Sequence, residues 1–420
     1  MHNTNKPTPA CDEIDPNILS VEAARTRLLQ GVTPLAGYQQ LAVRSSLDRI
    51  LAEEVHATIN VPAHTNSAMD GYAMRGEDIP AEGTAQLTVV GRSMAGAPFD
   101  GAVAAGEAVR IMTGAKLPAG ADTVIMQEHA NREEQTISIG SGHKPGQNVR
   151  HPGEDLAVGE RVFAPGRRIA AADLGMLASM GIAEVRVYRR VRVAFCSTGD
   201  ELASVGQPLG EGQVYDSNRY TLFGMLSRLG ADVLDMGVIP DEREAIEAAF
   251  HTAAAEADVL ITSGGVSVGE ADFVKETLQR IGEVDFWKVA MKPGRPLAAG
   301  HIGDCRFFGL PGNPVSAMVT FYQFVQPALK KMAGETLLEP LRLQLRTVSD
   351  LRKAPGRAEF QRGWMERTES GELVVRSTGQ QGSGMLSSMA RANCFIVLPT
   401  ECGKVAAGET VEVEPFAGIV

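Results

Sequence analysis

Between Val191 and Gly334, short apolar runs alternate with stretches whose apolar residues recur at helical spacing. The strand candidates are VRVAFCSTG, ADVLDMGVIP, VLITSGG, DFWKVAMKPG and CRFFGLPGNP, and the helix candidates are YTLFGMLSRLG, EREAIEAAFHTAAAE, DFVKETLQRIG and VSAMVTFYQFVQPALKKMAG. Strands that alternate with helices in this way predict an α/β architecture, with a doubly wound, mainly parallel sheet and helices on both of its faces.

The pattern differs on both sides of this region. Ser20 and Gly31 bracket an apolar helical repeat, and residues 38–50 carry a second one. From about Leu51 to Arg168 the sequence is extended and punctuated by glycine and proline, which predicts a β-rich segment, and a short helix follows at Ala171–Met180. Residues 338–420 return to short strands and suggest a small barrel or sandwich.

The stretch from Asp258 to Asp272 carries the strongest chemical signal. An apolar strand runs into Ser263-Gly264-Gly265, and the loop that follows delivers Glu270 and Asp272 to a helix start. Exposed N–H groups of a glycine-rich turn and a helix N-terminus favour an anion. Carboxylates at the same place favour a divalent cation held between protein and phosphate. The stretch therefore predicts magnesium-assisted phosphate chemistry.

Two further loops at the carboxyl ends of the predicted strands carry acids. Residues Ser197, Thr198 and Glu201 follow the first strand, and a turn with a capping acid explains them equally well. Asp241 follows the second strand, where a helix N-cap is the simpler interpretation. Since ligands of such sheets bind at the carboxyl ends of the strands, both remain candidates.

Basic and proline-rich loops lie at the same predicted edge. Lys288, Lys292 and Arg295 form a basic cluster that could hold an oxyanion, although a solvated strand edge explains them too. In the next loop, Pro311 and Pro314 stiffen the chain ahead of a helix N-terminus. Such stiffness is typical of a preorganised site, and also of a simple rigid turn.

Composition narrows the function classes. The formal net charge of −11 argues against general nucleic-acid binding, which requires a basic face. No run approaches the roughly 18 apolar residues that a membrane span needs. The five scattered cysteines contain no C-x-x-C pair, which argues against a zinc site or a disulfide framework and favours core residues in a cytoplasmic protein. Neither a P-loop nor a dinucleotide-binding fingerprint is present.

Ten ordered motifs resemble the molybdopterin molybdenumtransferase family, the molybdenum insertases that include bacterial MoeA and the gephyrin E domain. They are SAMDGYA at 67–73, RIMTGA at 110–115, GED at 153–155, STGDEL at 197–202, YDSN at 215–218, SGGVSVGEADF at 263–273, KPGRP at 292–296, GLPGNPVSA at 309–317, QGSG at 381–384 and NCFIVLP at 393–399. The resemblance covers nearly the whole chain.

The resemblance implies an architecture of four domains in an elongated homodimer. We assign an elongated domain to residues 15–60 and 150–189, a β-rich domain to 61–149, the α/β molybdopterin-binding domain to 190–334 and a small C-terminal β-barrel to 338–420. It also implies a reaction in which adenylylated molybdopterin and molybdate bind together, magnesium assists cleavage of the pyrophosphate link, and AMP leaves.

Site roles follow from the same resemblance. The implied magnesium ligands are Glu201, Asp241 and Asp272; the implied catalytic residues are Asp70, Thr113, Asp155, Lys288 and Lys292, of which the first three reach the site across the dimer interface. The implied substrate-binding residues are Ser197, Thr198, Ser263, Gly264, Gly265, Arg295, Pro311, Pro314, Arg362 and Ser383.

Two other functions remain open at this point. Residues 190–334 alone resemble the adenylyltransferase that activates molybdopterin, although that enzyme needs only the α/β unit. A noncatalytic scaffold is the other, since one E-domain relative anchors receptors, but the full set of charged site residues argues against it. Transient contacts with the adenylyltransferase and with cofactor-accepting enzymes are expected partners of an insertase.

Overall fold

The computed structural model describes residues 18–264 and 273–416. The strands are β1 (Ile18–Leu19), β2 (Tyr38–Ala42), β3 (Val55–His56), β4 (Asn66–Ser67), β5 (Gly71–Met74), β6 (Thr84–Ser93), β7 (Glu107–Ile111), β8 (Thr123–Met126), β9 (Ala130–Glu133), β10 (Thr136–Gly140), β11 (Val149–Arg150), β12 (Arg161–Phe163), β13 (Glu184–Tyr188), β14 (Arg192–Thr198), β15 (Leu202–Ala203), β16 (Val214–Tyr215), β17 (Asp232–Ile239), β18 (Val259–Ser263), β19 (Glu283–Val289), β20 (Met291–Lys292), β21 (Pro296–Ile302), β22 (Cys305–Leu310), β23 (Leu343–Thr347), β24 (Ala358–Arg367), β25 (Leu373–Ser377), β26 (Cys394–Leu398) and β27 (Thr410–Pro415).

The α-helices of the described residues are α1 (Val21–Gln30), α2 (Ala171–Ser179), α3 (Ser217–Leu229), α4 (Arg243–Glu256), α5 (Phe273–Ile281), α6 (Pro314–Thr320), α7 (Gln326–Met332) and α8 (Leu386–Ala390). None of the described helices is both long enough and apolar enough to span a bilayer. The chain divides into two compact units, one of residues 40–187 and one formed by the residues on either side of that segment.

The flanking segments form a unit around a seven-stranded sheet in the order β1-β19-β21-β22-β18-β14-β17. The central pairs β17–β14, β14–β18 and β18–β22 are parallel, whereas β21 runs antiparallel to both of its neighbours. Because side chains alternate across a strand, Val193 and Phe195 pack with α3 and α6 while Ala194 and Cys196 pack with α4 and α5. The predicted doubly wound, mainly parallel sheet is confirmed.

The C-terminal strands of the same unit close on themselves. Their order is β24-β25-β23-β27-β26, and β24 also pairs with β26, so that five strands form a closed barrel. β20, which follows β19 of the α/β sheet along the chain, pairs in parallel with β24 of the barrel. Of the two architectures that the sequence suggested for this region, the barrel is therefore correct.

The unit of residues 40–187 is rich in strands, as the sequence predicts. A six-stranded sheet in the order β8-β5-β7-β6-β10-β9 lies within the segment that the sequence predicts to be β-rich. Its core contains Tyr72, Met74, Leu87, Ile125 and Ile137, all of them buried. The short helix predicted at Ala171–Met180 is present as α2.

The helix predicted near residues 38–50 is wrong. The chain there forms β2 and a 3₁₀ turn at Val43–Ser45. The hydroxyl of Ser46 donates to the carbonyl of Val43 at 2.8 Å, a local bond that competes with helix propagation. Asp48 then adopts a left-handed φ of 60°, which an α-helix cannot accommodate.

The long closing helix predicted after Asn313 contains an interruption. A π-helical turn, Phe321–Val325, separates α6 from α7. Pro327 lacks an N–H and cannot donate to the carbonyl of Gln323 four residues earlier. The guanidinium of Arg25 donates to that carbonyl instead, at 3.2 Å, so helix α1 satisfies the group that the proline leaves open.

Candidate active site

A pocket of about 850 Å³ lies at the carboxyl edge of the parallel strands, beside the β-barrel. Its wall consists of Thr198, Gly199, Glu201, Asp241, Gly264, Met291, Lys292, Pro293, Gly294, Arg295, Pro296, Pro311, Gly312, Asn313, Ser316, Arg357, Gln381, Gly382 and Ser383. The first five lie at or just after the ends of β14, β17 and β18, while the last four come from the barrel region. Two structural modules of one unit therefore build the pocket.

One part of the wall is acidic. Glu201 lies just after β14 and Gly199. The φ of Gly199, +143°, favours glycine, and an added Cβ would come within 2.5 Å of the Glu201 carboxylate and displace it. Asp241 follows β17. Burial, together with the negative charges of Asp200 and Glu201, raises the pKa of the Asp241 carboxyl above its usual value. The acids are crowded enough to repel one another.

Another part of the wall is basic and contains Lys292, Arg295 and Arg357. The Nζ atom of Lys292 lies 3.1 Å from Oε1 of Glu359, a buried barrel residue, because β20 and β24 pair these two positions in register. The Nε2 atom of Gln361 donates to the other Glu359 oxygen at 2.9 Å. The barrel therefore fixes the position of a pocket cation.

The remaining wall is mostly backbone and small polar side chains. Pro314 occupies the first turn of α6, as is common at a helix start. The next residue, Val315, donates its N–H to the carbonyl of Ser383 at 3.0 Å, which ties the barrel loop to the start of α6. At Gly294, a Cβ would meet Oγ1 of Thr320 at 2.5 Å, and φ is +96°, so this turn requires glycine.

Three family models match consecutive parts of the chain. The MoeA N-terminal region (domain I and II) matches residues 19–181, the probable molybdopterin binding domain matches 194–331, and the MoeA C-terminal region (domain IV) matches 344–416. A molybdopterin molybdenumtransferase of Haemophilus influenzae is 47% identical over 401 residues, which cover 95% of this chain and 99% of that protein. The chain belongs to the molybdopterin molybdenumtransferase family.

Other relatives agree with the assignment. The molybdopterin molybdenumtransferase of a Nostoc species is 36% identical and covers 86% of this chain and 85% of its own. A crystal structure of the molybdopterin biosynthesis moeA protein from Pyrococcus horikoshii OT3 superposes with a TM-score of 0.83 at 29% identity, covering 95% of this chain and all of that one. The protein is therefore a transferase of molybdenum-cofactor biosynthesis.

The pocket contains about half of the site residues that the sequence proposed. On its wall lie Thr198, Glu201, Asp241, Gly264, Lys292, Arg295, Pro311 and Ser383. Gly265 and Asp272, with Glu270, lie outside the described residues. No group of three or more His, Cys, Asp or Glu side chains that could hold a metal occurs within residues 18–264 and 273–416.

Four proposed residues lie beside the pocket and not on its wall. Ser197 and Ser263 are buried, and the Ser263 hydroxyl accepts a hydrogen bond from Asn218. Lys288 lies on β19 opposite Pro296. Pro314 begins α6 one residue after Asn313, which is on the wall. Their proposed roles in substrate binding or catalysis stay predictions.

Arg362 was expected to contact substrate, but its side chain is only 1% exposed. It donates to Oγ of Ser388 at 3.0 Å and to the carbonyl of Gly382 at 3.2 Å. Burial lowers the pKa of its guanidinium to about 10. In this structure Arg362 lies behind the wall and supports the 381–383 loop.

Asp70, Thr113 and Asp155 belong to the unit of residues 40–187. Oδ1 of Asp70 accepts hydrogen bonds from the N–H and from the hydroxyl of Thr113, both at 2.7 Å. These bonds, the amide first, hold the pKa of the Asp70 carboxyl below its ordinary value. Asp155 is exposed in the turn after Gly153. The pairing of Asp70 with Thr113 makes SAMDGYA and RIMTGA one structural feature.

Sequence reasoning missed several polar residues at the pocket. Arg357, Asn313 and Gln381 lie on the wall, and Glu359 holds Lys292 from behind it. Asn313 and Gln381 stand inside motifs already noted, GLPGNPVSA and QGSG, so attention to every polar side chain of those motifs would have found them. Neither Arg357 nor Glu359 belongs to a noted motif, and the sequence offers no comparable signal for them.

Proposed function

We propose that the enzyme inserts molybdenum from molybdate into adenylylated molybdopterin, in a magnesium-dependent reaction that releases AMP. The observation that carries the proposal is the division of one pocket into an acidic wall, with Glu201 and Asp241, and a basic wall, with Lys292, Arg295 and Arg357. A substrate that bears phosphates and a metal oxyanion calls for both kinds of side chain.

The acidic wall fits a magnesium ion. Magnesium prefers oxygen ligands and commonly takes one or two carboxylates together with substrate phosphates. Glu201 and Asp241 would supply the carboxylates. Burial first, and then the charges of Asp200 and Glu201, raise the pKa of Asp241, and a divalent cation would relieve the repulsion among these carboxylates. When bound, the ion would neutralise charge on the phosphate oxygens and make the phosphoanhydride bond easier to break.

The basic wall fits the anions of the reaction. Guanidinium groups form paired hydrogen bonds with phosphate and similar oxyanions, whereas an ammonium acts as a point charge. Arg295 and Arg357 would orient the phosphate or molybdate oxygens, and Lys292, fixed by Glu359, would balance their charge. Addition of water across the phosphoanhydride bond then gives AMP and the phosphate of the pterin.

The proposal extends to a homodimer in which Asp70, Thr113 and Asp155 act at the pocket of the other subunit. Its support is the resemblance of SAMDGYA, RIMTGA and GED to family motifs. Mixing the inactive variants Asp70→Ala and Asp241→Asn and allowing subunits to exchange should restore part of the activity. A mixture as inactive as its components would contradict a shared site.

The cellular setting follows from the proposed reaction. We place the enzyme in the cytoplasm, in transient contact with the adenylyltransferase that supplies its substrate and with enzymes that accept the cofactor. Fractionation of cells producing the tagged protein should recover it with cytoplasmic markers. Recovery with the membrane or secreted fraction would oppose this placement.

The deciding experiment incubates the purified enzyme with adenylylated molybdopterin, molybdate and magnesium, and follows both AMP and active cofactor. We expect both products, and neither in Asp241→Asn. Asp232→Asn is the matched control, since Asp232 begins the strand β17 that Asp241 follows. Formation of adenylylated molybdopterin from ATP and molybdopterin, with no AMP release in the first assay, would overturn the proposal.

A further inference from the structure

Asn218 joins two loops of the pocket from behind. It lies in the first turn of α3, in the YDSN motif, and is 8% exposed. Its Nδ2 atom donates to Oγ of Ser263 at 2.7 Å and to the carbonyl of Gly312 at 2.7 Å. One side-chain amide therefore donates one N–H to the end of β18 and the other to the loop after β22.

The acceptors determine how the amide must be oriented. A backbone carbonyl such as that of Gly312 only accepts hydrogen bonds, so the NH₂ group and not the amide oxygen must face it. The Ser263 hydroxyl can accept the second N–H. A side chain of the same shape without an NH₂ group cannot make the bond to Gly312.

The two loops that Asn218 joins meet on the pocket wall. Gly264 follows Ser263, and its N–H donates to the carbonyl of Leu310 at 3.2 Å. An added Cβ at Gly312 would lie 3.9 Å from the Cα of Gly264, so the two backbone segments lie close to each other. Their separation sets the spacing of the backbone groups that line this part of the pocket.

The backbone of Asn218 is held by the rest of its helix. The Asp216 carboxylate caps α3 by accepting the N–H of Arg219 at 3.1 Å. Leu222 and Leu226, further along the same helix, are fully buried against the sheet. The amide is therefore presented from a fixed base, as a positioning residue requires.

We propose that Asn218 is a positioning residue that sets the distance between the Ser263–Gly264 and Gly312 loops and so preorganises the pocket for the phosphate end of its substrate. The inference rests on the function proposed above. Asn218 itself is buried behind the wall and is not a catalytic residue. Preorganisation of this kind strengthens the binding of the ground state and of the transition state alike. Its loss should therefore raise KM and leave kcat nearly unchanged.

The test uses Asn218→Asp, which keeps the size of the side chain and removes the donor to Gly312. We expect KM for adenylylated molybdopterin to rise about tenfold, the effect of one buried hydrogen bond, with kcat within about twofold. Hydrogen exchange should accelerate in peptides covering residues 310–316. Thr221→Val is the matched control, because the Thr221 hydroxyl donates to the Asn218 carbonyl within α3.

Two further measurements keep the outcome decisive. If Asn218→Asp fails to fold, Ser263→Ala removes one of the two bonds and should give the same change in smaller degree. Unchanged exchange of the 310–316 peptides in a folded variant, or an equal loss in Thr221→Val, would overturn the positioning role. If the wild type releases no AMP, the proposed function fails, while exchange still decides whether Asn218 holds the loops.

Discussion

Lys292 and Glu359 allow the contribution of one pocket cation to stability to be separated from its contribution to binding. The Glu359 side chain is 7% exposed and the Lys292 side chain 48% exposed. Removing one partner of a fully buried pair costs about 3–5 kcal/mol. Here water can replace the ammonium, and Gln361 still holds the second carboxylate oxygen. We therefore expect Lys292→Ala to lower the free energy of unfolding by about 1–2 kcal/mol.

The double variant Lys292→Met/Glu359→Gln removes both charges and leaves none buried alone. Its stability should lie within about 1 kcal/mol of the wild type, since neutral side chains of similar size commonly replace an ion pair at little cost. Its affinity for molybdate or AMP should nevertheless fall about tenfold, as in the single variant, because both lack a cation on the wall.

Equilibrium urea unfolding followed by tryptophan fluorescence measures the stability. The two tryptophans of the chain, Trp287 and Trp364, both belong to the unit that contains the pocket, so the signal reports that unit. Calorimetry with molybdate and with AMP measures the binding. A double variant as unstable as Lys292→Ala would refute the charge argument, and one that binds anions like the wild type would remove Lys292 from the site.

Three further outcomes follow from the contacts. Burial alone would raise the pKa of Asp258, but hydrogen bonds from Arg189 and from the Arg192 amide outweigh it and hold that pKa below its ordinary value. Asp258→Asn should therefore destabilise the protein above about pH 4 and lose this effect at lower pH. Unfolding measured as a function of pH tests this. Thr113→Val should move the pKa of Asp70 upward without abolishing the shift, because the amide bond remains, and carboxyl NMR titration measures it. Arg362→Met should cost about 2 kcal/mol and accelerate proteolysis of the 381–383 loop, since three acceptors lose their donor.

The α/β alternation could be predicted because each strand and helix there carries its own local signal. The helix predicted at residues 38–50 is wrong for a local reason too. The prediction rested on the apolar positions and left out the effect of Ser46 and Asp48 on the backbone. The π-helical turn could not be predicted, because it depends on Pro327 and also on a distant donor, Arg25, that satisfies the freed carbonyl.

The site could be predicted only as far as the sheet determines it. Parallel strands bring their carboxyl ends to one edge, so Glu201, Asp241 and Gly264 were expected together and are found together on one wall. The burial of Arg362 and the support that Glu359 gives from the barrel could not be predicted, since a motif carries no information on burial. Glu359 is 67 residues from Lys292 along the chain, and only the pairing of β20 with β24 brings them together.

This pairing also explains why the α/β sheet alone cannot build the pocket. β20 follows β19 along the chain but pairs with β24 of the barrel and not with a strand of the α/β sheet. Lys292 is therefore held in position only when β24 is folded beside it. The same holds for Ser383, whose carbonyl accepts the N–H of Val315 at the start of α6. A chain restricted to the α/β sheet would keep Glu201 and Asp241 and lose both Arg357 and the hold on Lys292. The acidic wall belongs to the sheet, and the basic wall requires the barrel.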